Sequence, residues 1–300
     1  MKCPKCRSIN FIRKGKARDG AKRFRCRDCG KQFRETTSIL HKAKILLFDI
    51  ETTPIPVYVW QLKQNNYIHI GQIVEIDDTW NMVCWRAKWL FDDKVLGDCQ
   101  TPEEARNRDD KRITKSLYQL INEADILIGH NVDNFDIPKA NTRFMIHGLD
   151  PPSPYQTIDT LKAVRKSFKF ASNKLDFVCQ KLGMGAKYDT GFPLWKDCLK
   201  GDKKALKDMY DYCGQDTAIL EDLYLRVRGW IKSHPNLSLY LEDREGACSN
   251  CGSKEISYLS KPYYTPTGEY QSFRCKDCGA TIRSRYSKKR EKELLRSCAR

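Results

Sequence analysis

The sequence predicts an α/β core with a small cysteine-built module at each end, and three observations carry that expectation. Eight of its 14 cysteines form four Cys-x-x-Cys pairs, two toward each terminus. Residues 44–51, Lys44-Ile45-Leu46-Leu47-Phe48-Asp49-Ile50-Glu51, read as a buried strand bounded by Thr52, Thr53 and Pro54. Residues 203–231 give the longest helical pattern, in which Leu206, Met209, Cys213, Leu220, Leu223, Val227 and Trp230 recur at helical intervals with one turn skipped at Thr217. Three hundred residues leave room for two or three domains and one large core.

In the first module Cys3 and Cys6 precede Cys26 and Cys29 with 19 residues between the inner pair, inside the common range for a four-cysteine zinc site. Two thiolates three residues apart on a tight knuckle reach one ion, and a second knuckle completes the tetrahedron. A segment of about 40 residues buries too little core to fold unaided, so bound zinc must supply folding free energy. Cys248, Cys251, Cys275 and Cys278 repeat the pattern with an inner gap of 23 residues and an expected hairpin tip at Pro266-Thr267-Gly268. The heptapeptide from Phe24 to Gly30 closely matches that from Phe273 to Gly279, with Lys276 in the place of Arg27, so the modules form an internal repeat in kind. Cys84, Cys99, Cys179, Cys198, Cys213 and Cys298 lack this spacing and read as packed or inert thiols.

Charge follows the same division. The formal net charge of +16 separates into +12 over residues 1–44, −1 over the middle and +5 over residues 242–300. Four thiolates around each zinc add −2 locally and leave both ends basic. A polyanionic partner is expected there, nucleic acid ahead of an anionic membrane. The chain has no apolar run of membrane-spanning length and opens on Met1-Lys2-Cys3-Pro4-Lys5, so no membrane association and an intracellular, cytoplasmic setting are expected.

Within the core, further strands are expected near residues 72–75 and 81–89. A helix follows over residues 113–123, a short strand over 125–128, and another helix after Asp136. The charged tail over residues 287–300 reads as a solvated face.

Asp49 and Glu51 are separated by one residue, so period two sets both carboxylates on one strand face while Phe48 and Ile50 turn to the core. Adjacent carboxylates repel unless a cation lies between them. Asp136 falls at a strand-to-helix junction, where it is either a metal ligand or the cap of the next helix. Tyr212 and Asp216 stand four apart on the long helix and share a face. Gly214 between them costs about 1 kcal/mol of helix propensity, which points to close approach of a backbone or substrate, or to a tolerated defect.

Taken in order, Phe48-Asp49-Ile50-Glu51, then Asn131-x-x-x-Phe135-Asp136, then Tyr212-x-x-x-Asp216 resemble the three motifs of DEDDy-class 3′-to-5′ exonucleases, as in the proofreading domain of family B DNA polymerases. The likeness covers roughly residues 44–230. It implies an RNase H-like (DnaQ-like) mixed sheet with helices on both faces. It also implies two Mg²⁺ or Mn²⁺ ions held by Asp49, Glu51, Asp136 and Asp216. By the same resemblance Asp49 bridges both ions, Glu51 and Asp216 hold the one carrying the attacking water, and Asp136 supports the other. Tyr212 orients the water, because a phenol of ordinary pKa about 10 is a poor base near neutrality.

Asn131 and Phe135 are candidate contacts to the terminal nucleotide, with Phe135 equally placed to be core. Asp159 is either a support for the site or a turn residue.

Residues 1–36 resemble the zinc ribbon that opens insertion-sequence transposases, through Cys-Pro-Lys-Cys, Arg13-Lys14-Gly15 and the run from Arg23 to Phe33. That likeness implies DNA binding. Arg13, Lys14, Lys16, Arg18, Lys22, Arg23, Arg25 and Arg27 are the candidate phosphate contacts, while Phe11, Phe24 and Phe33 read as core ahead of base stacking.

The expected organisation is a nucleic-acid-binding ribbon over 1–40, an exonuclease domain over 41–236, and a second ribbon with a basic tail over 243–300, with two structural Zn²⁺. The expected substrate is DNA ahead of RNA. Two other readings stay open: a transposase or recombinase, and a zinc-ribbon nucleic-acid-binding protein without catalysis.

Overall fold

Two cysteine knuckles and three short strands build the N-terminal module of the chain, here described by a computed structural model. The structure describes residues 3, 6, 8–16, 22–34, 43–60, 73–76, 80–184, 191–266 and 268–288. Strands β1 (Phe11–Lys16), β2 (Lys22–Cys26) and β3 (Gln32–Arg34) pair antiparallel in that order. Phe11, Phe24 and Phe33 meet with ring centroids 5.2 to 5.8 Å apart and pack against the cysteines, so these aromatics are core. After the second knuckle the chain must turn left-handed, and Gly30 does so at φ +69° while its N–H returns to Cys26 O at 3.1 Å.

The larger unit, Lys44–Asp222, is organised by β4 (Ile45–Thr52). Leu46, Phe48 and Ile50 are fully buried on one face, and the alternate positions Asp49 and Glu51 open on the other. Next come β5 (Val57–Val59) and β6 (Ile73–Ile76), a separate antiparallel pair. The expected strand near residues 72–75 is thus found from Ile73 onward, with Gln72 outside the described residues. Then β7 (Met82–Trp89) runs antiparallel to β4, and β8 (Val95–Cys99) antiparallel to β7.

Helix α1 (Pro102–Arg106) begins with a capping box in which Thr101 and Glu104 bond each other's backbone N–H. Helix α2 (Lys111–Glu123) presents Ile113, Leu117 and Ile121 as one apolar stripe. Strand β9 (Ile126–Gly129) is buried throughout and lies parallel to β4. Helix α3 (Asp136–Ile146) follows, then β10 (Gln156–Asp159), parallel to β9, and α4 (Thr160–Ser167). Short helices α5 (Leu175–Lys181) and α6 (Pro193–Leu199) precede α7 (Lys203–Val227), which hands over to a 3₁₀ turn at Arg228–Trp230. The long helix therefore ends four residues before Ile231.

The central sheet has the order β10-β9-β4-β7-β8. One face packs Phe48, Trp85 and Leu127 against α2 and α3 through Leu117, Ile121, Ala140 and Phe144. Cys84 on β7 packs on the other side with α1, α6 and α7 through Ala105, Cys198, Leu206, Met209 and Cys213. This is a mixed sheet with helices on both faces. Two buried polar links fix the layers. Asp110, just before α2, takes Met82 N at 2.8 Å and, at 2.6 Å, both Arg143 Nη2 of α3 and Nε2 of His147, the C-cap of that helix. An ion pair between Lys88 and Glu221 ties α7 to β7.

The C-terminal module belongs to the second unit, Met1–Ala43 with Leu223–Arg300. Its sheet has β11 (Ile256–Tyr258) and β12 (Tyr263–Thr265) along one edge of β13 (Gly268–Cys275) and β14 (Thr281–Ser287) pairing with β13 on the other. Thr265 faces Gly268 across the hairpin, where the tip was expected, although Thr267 lies outside the described residues. Gly279 repeats the knuckle of Gly30, at φ +77° with its N–H 3.0 Å from Cys275 O. Cys298 and the tail from residue 289 lie outside the described residues. Among the described residues no helix is long and apolar enough to cross a membrane.

Candidate active site

The open face of β4 meets one turn of α7. Asp49 and Glu51 come from the strand, Asp216 from the helix, and one carboxylate oxygen of each lies within 4.8 Å of the others. A one-residue register shift follows Glu51 in the pairing with β7, a bulge of the kind that re-aims side chains at strand ends. Tyr212, one turn before Asp216, is half-buried with its ring against Trp195 at 6.1 Å.

Asp136 arrives from the neighbouring crossover. Phe135 is the cap of α3 and Asp136 is its first residue, so the reading of Asp136 as an N-cap is corrected. Its Oδ1 instead accepts from Ile50 N at 3.2 Å, the amide between Asp49 and Glu51. Asp136 is buried and stands outside the trio that converges within 4.8 Å.

This crowding has an electrostatic cost. Burial, then the charges of Asp136, Glu51 and Asp216, push the Asp49 carboxyl well above the usual carboxylate range. Burial likewise raises Asp136 to about 7, against the Ile50 N–H bond that favours its anion. A thiol partly offsets the cost at Asp49: Cys213 Sγ donates to Asp49 Oδ2 at 3.2 Å and to Asp49 O at 3.3 Å. The sequence reading of Cys213 as packed is half of its role, since period 3.6 alone cannot show the strand carboxylate beneath the helix.

Gly214 is approached by a side chain and not by another backbone. A Cβ there would meet the Arg86 guanidinium at 3.1 to 3.2 Å, and that guanidinium lies 4.0 Å over the Tyr210 ring. A side chain from β7, opposite Asp49 in the strand register, explains this glycine.

Asn131 adopts φ +78° at the turn between β9 and α3. Its N–H is held by Asp159 Oδ1 at 3.0 Å, and the same oxygen caps α4 through Leu161 N and Lys162 N. Asp159 is therefore a cap that also fixes the strained turn. Phe135 is 37% exposed and lies under Lys139 Nζ at 5.2 Å, which removes it from the core. Lys139 also sits 3.9 Å over Trp80. A surface cavity of about 600 Å³ between α6 and the start of α7, lined by Leu194, Asp197 and Asp208 among others, contains none of the candidate carboxylates.

The cysteine quartets are well formed. Sulfur pairs stand 3.4 and 3.5 Å apart in the first module and 3.6 and 3.7 Å in the second, close to the roughly 3.8 Å of a tetrahedral ion with Zn–S of about 2.3 Å. All eight are free thiols, so both sets fit zinc and not disulfides. Arg13, Lys14, Arg23 and Arg25 are exposed on β1 and β2. Arg23 and Arg25 alternate with Phe24 and so share the face away from the aromatic core. Arg27 is exposed beyond β2, while Arg18 and the side chains of Lys16 and Lys22 lie outside the described residues.

A mixed sheet covered on both faces, with acidic groups on its central strand, defines an RNase H-like domain flanked by two four-cysteine ribbons. In agreement, residues 91–228 match the RNase_H superfamily, a span that includes Asp136, Tyr212 and Asp216 and begins after Asp49 and Glu51. Residues 1–30 match the InsA N-terminal domain. Among solved structures the chain is similar to the family B DNA polymerase from the hyperthermophilic archaeon Pyrobaculum calidifontis, at 14% identity and a TM-score of 0.44, over 77% of this chain and 32% of that one. It thus spans about a third of that polymerase's length. No curated protein matches the chain.

Proposed function

We propose that the chain is a 3′-to-5′ exonuclease that releases nucleoside 5′-monophosphates from DNA. The observation that carries the reading is the convergence of Asp49, Glu51 and Asp216 within 4.8 Å, with Tyr212 one turn away on the same helix. The RNase_H superfamily match supports a nuclease. DNA is proposed on the likeness of the first ribbon to those of transposases.

The donor set fits hard divalent cations. Three carboxylates this close are stable together only when protons or a cation sit among them, and carboxylate oxygens are the ligands Mg²⁺ or Mn²⁺ prefers. Asp49, Glu51 and Asp216 would hold one ion, and Asp136 with Asp49 a second. Bound there, the ions supply an activated water and neutralise the departing oxygen.

The chain's own groups do the rest. Tyr212 would orient the attacking water by its hydroxyl. A new P–O bond forms to that water, the P–O3′ bond breaks, and the proton ends on the 3′ hydroxyl of the shortened strand. Cys213 favours the ionised form of Asp49 through its thiol hydrogen bond. Phe135 and Asn131 border the place of the terminal nucleotide.

End-labelled strands test the polarity. A 5′-labelled strand should give a descending ladder and a 3′-labelled one should give labelled mononucleotide at once. Internal cuts, or joined ends as a transposase would make, would count against the reading.

A further inference from the structure

The outer face of the C-terminal sheet carries a stack of rings and guanidinium that serves neither zinc nor the carboxylate site. Ile256, Cys275 and Ile282 pack with the cysteine quartet. The alternate residues of β13, Tyr270 and Arg274, therefore turn away from it. Tyr263 is the cross-strand partner of Tyr270, and Arg283 stands opposite Ser272 on the far side. Arg283 Cζ lies 4.0 Å over the Tyr270 ring and 5.7 Å over the Tyr263 ring. Tyr263 is 50% exposed, and Arg274, Arg283 and Arg285 are exposed. Glu269, the one acidic residue in these four strands, alternates to the opposite face. Residues 256–288 hold six Lys/Arg against two Asp/Glu.

We infer that this face binds single-stranded nucleic acid, with bases extending the Tyr263, Arg283 and Tyr270 stack and phosphates meeting Arg274 and Arg285. Unpaired bases offer flat faces to rings and guanidinium alike, and a basic track beside such rings holds a strand without reading its sequence. A duplex hides those base faces, and an acidic peptide has the charge without the planes. The inference rests on the chain handling nucleic acid, not on its cutting it.

The test uses the full-length, zinc-loaded chain with Asp49→Asn to prevent cleavage. Binding of a labelled oligothymidylate is compared with that of an abasic strand of equal length, which keeps the phosphates and lacks the bases. The platform predicts tighter binding of oligothymidylate. Tyr263→Ala or Tyr270→Ala should weaken that binding about tenfold and narrow the gap to the abasic strand, while Tyr263→Phe retains it. Arg283→Gln should weaken both strands.

Equal binding of the two strands by the parent chain would overturn the inference. So would Tyr263→Ala and Arg283→Gln variants that keep two zinc ions and bind like the parent. Preference for a duplex of the same sequence, or equal competition by polyglutamate, would overturn it as well. With Asp49 restored, cleavage of a dinucleotide by Tyr263→Ala reads the nuclease site separately, so failure of either proposal leaves the other measurable.

Discussion

Asp49 concentrates the electrostatic problem of the site, and the Cys213 thiol offsets part of it from within the protein. Asp136 is raised to about 7 and Asp49 also stands above its ordinary range. Between an ordinary carboxylate pKa of about 4 and about 7, the metal-free fold holds protons that the unfolded chain has released. Asp136 therefore favours the metal-free fold at low pH, and that contribution is lost as pH rises through about 7, while the raised Asp49 acts in the same direction. A cation must displace the same protons, so affinity for Mn²⁺ should climb as pH rises through this interval, with proton release visible by calorimetry.

Removing the thiol donor by Cys213→Ala should move the midpoint of that climb upward by up to about one pH unit, equivalent to about 1.4 kcal/mol, while Cys213→Ser keeps a donor and the midpoint. An unmoved midpoint in the alanine variant would remove Cys213 from the account. Period two along β4 was enough to find Asp49 and Glu51. The thiol's role was hidden because its partner is 164 positions away in sequence.

At the scale of elements, α3 is held by a buried polar network as well as by its apolar face. Asp110, Arg143 and His147 are all at least mostly buried, and Asp110 also receives Met82 N. Truncating one partner of such a network leaves the others uncompensated, so Asp110→Ala should destabilise the fold by about 3 to 5 kcal/mol in urea unfolding. It should also lower activity, since α3 carries Asp136. Asp110→Asn, which keeps an acceptor, should cost less.

The helices and most strands were legible because hydrophobic periodicity is local: 113–123 and 203–231 were read within a few residues of the observed bounds. The Asp110 network and the Arg86 contact at Gly214 were not, because each depends on which strand lies beneath a helix. The pairing of β4 with β7 brings Arg86 opposite Asp49, and no spacing in the sequence encodes it.

For the molecule as a whole, the division of labour follows the division of charge. The central span is near neutral and acidic at its site, whereas both cysteine modules are basic. Their fold depends on thiolates gathered in two quartets. Chelation should therefore release two zinc ions per chain and expose both ends to trypsin, while a resistant fragment containing β4 through most of α7 persists. Loss of the central fragment at the same rate would show that the ribbons stabilise the whole chain. The spacing of the eight cysteines made these modules readable without structure, since a four-thiolate ion requires it. The stacked face of β12 to β14 was not readable, because it is assembled across three strands.

In the proposed exonuclease the carboxylates of β4 and α7 act together on the 3′ end of a strand. The most direct test is Mg²⁺-dependent release of mononucleotides from a 3′-labelled single strand by the parent chain and by Asp49→Ala, with zinc content checked in both. Release by the parent and a loss of at least about a thousandfold in the variant are expected. Release that continues undiminished in Asp49→Ala would contradict the proposal.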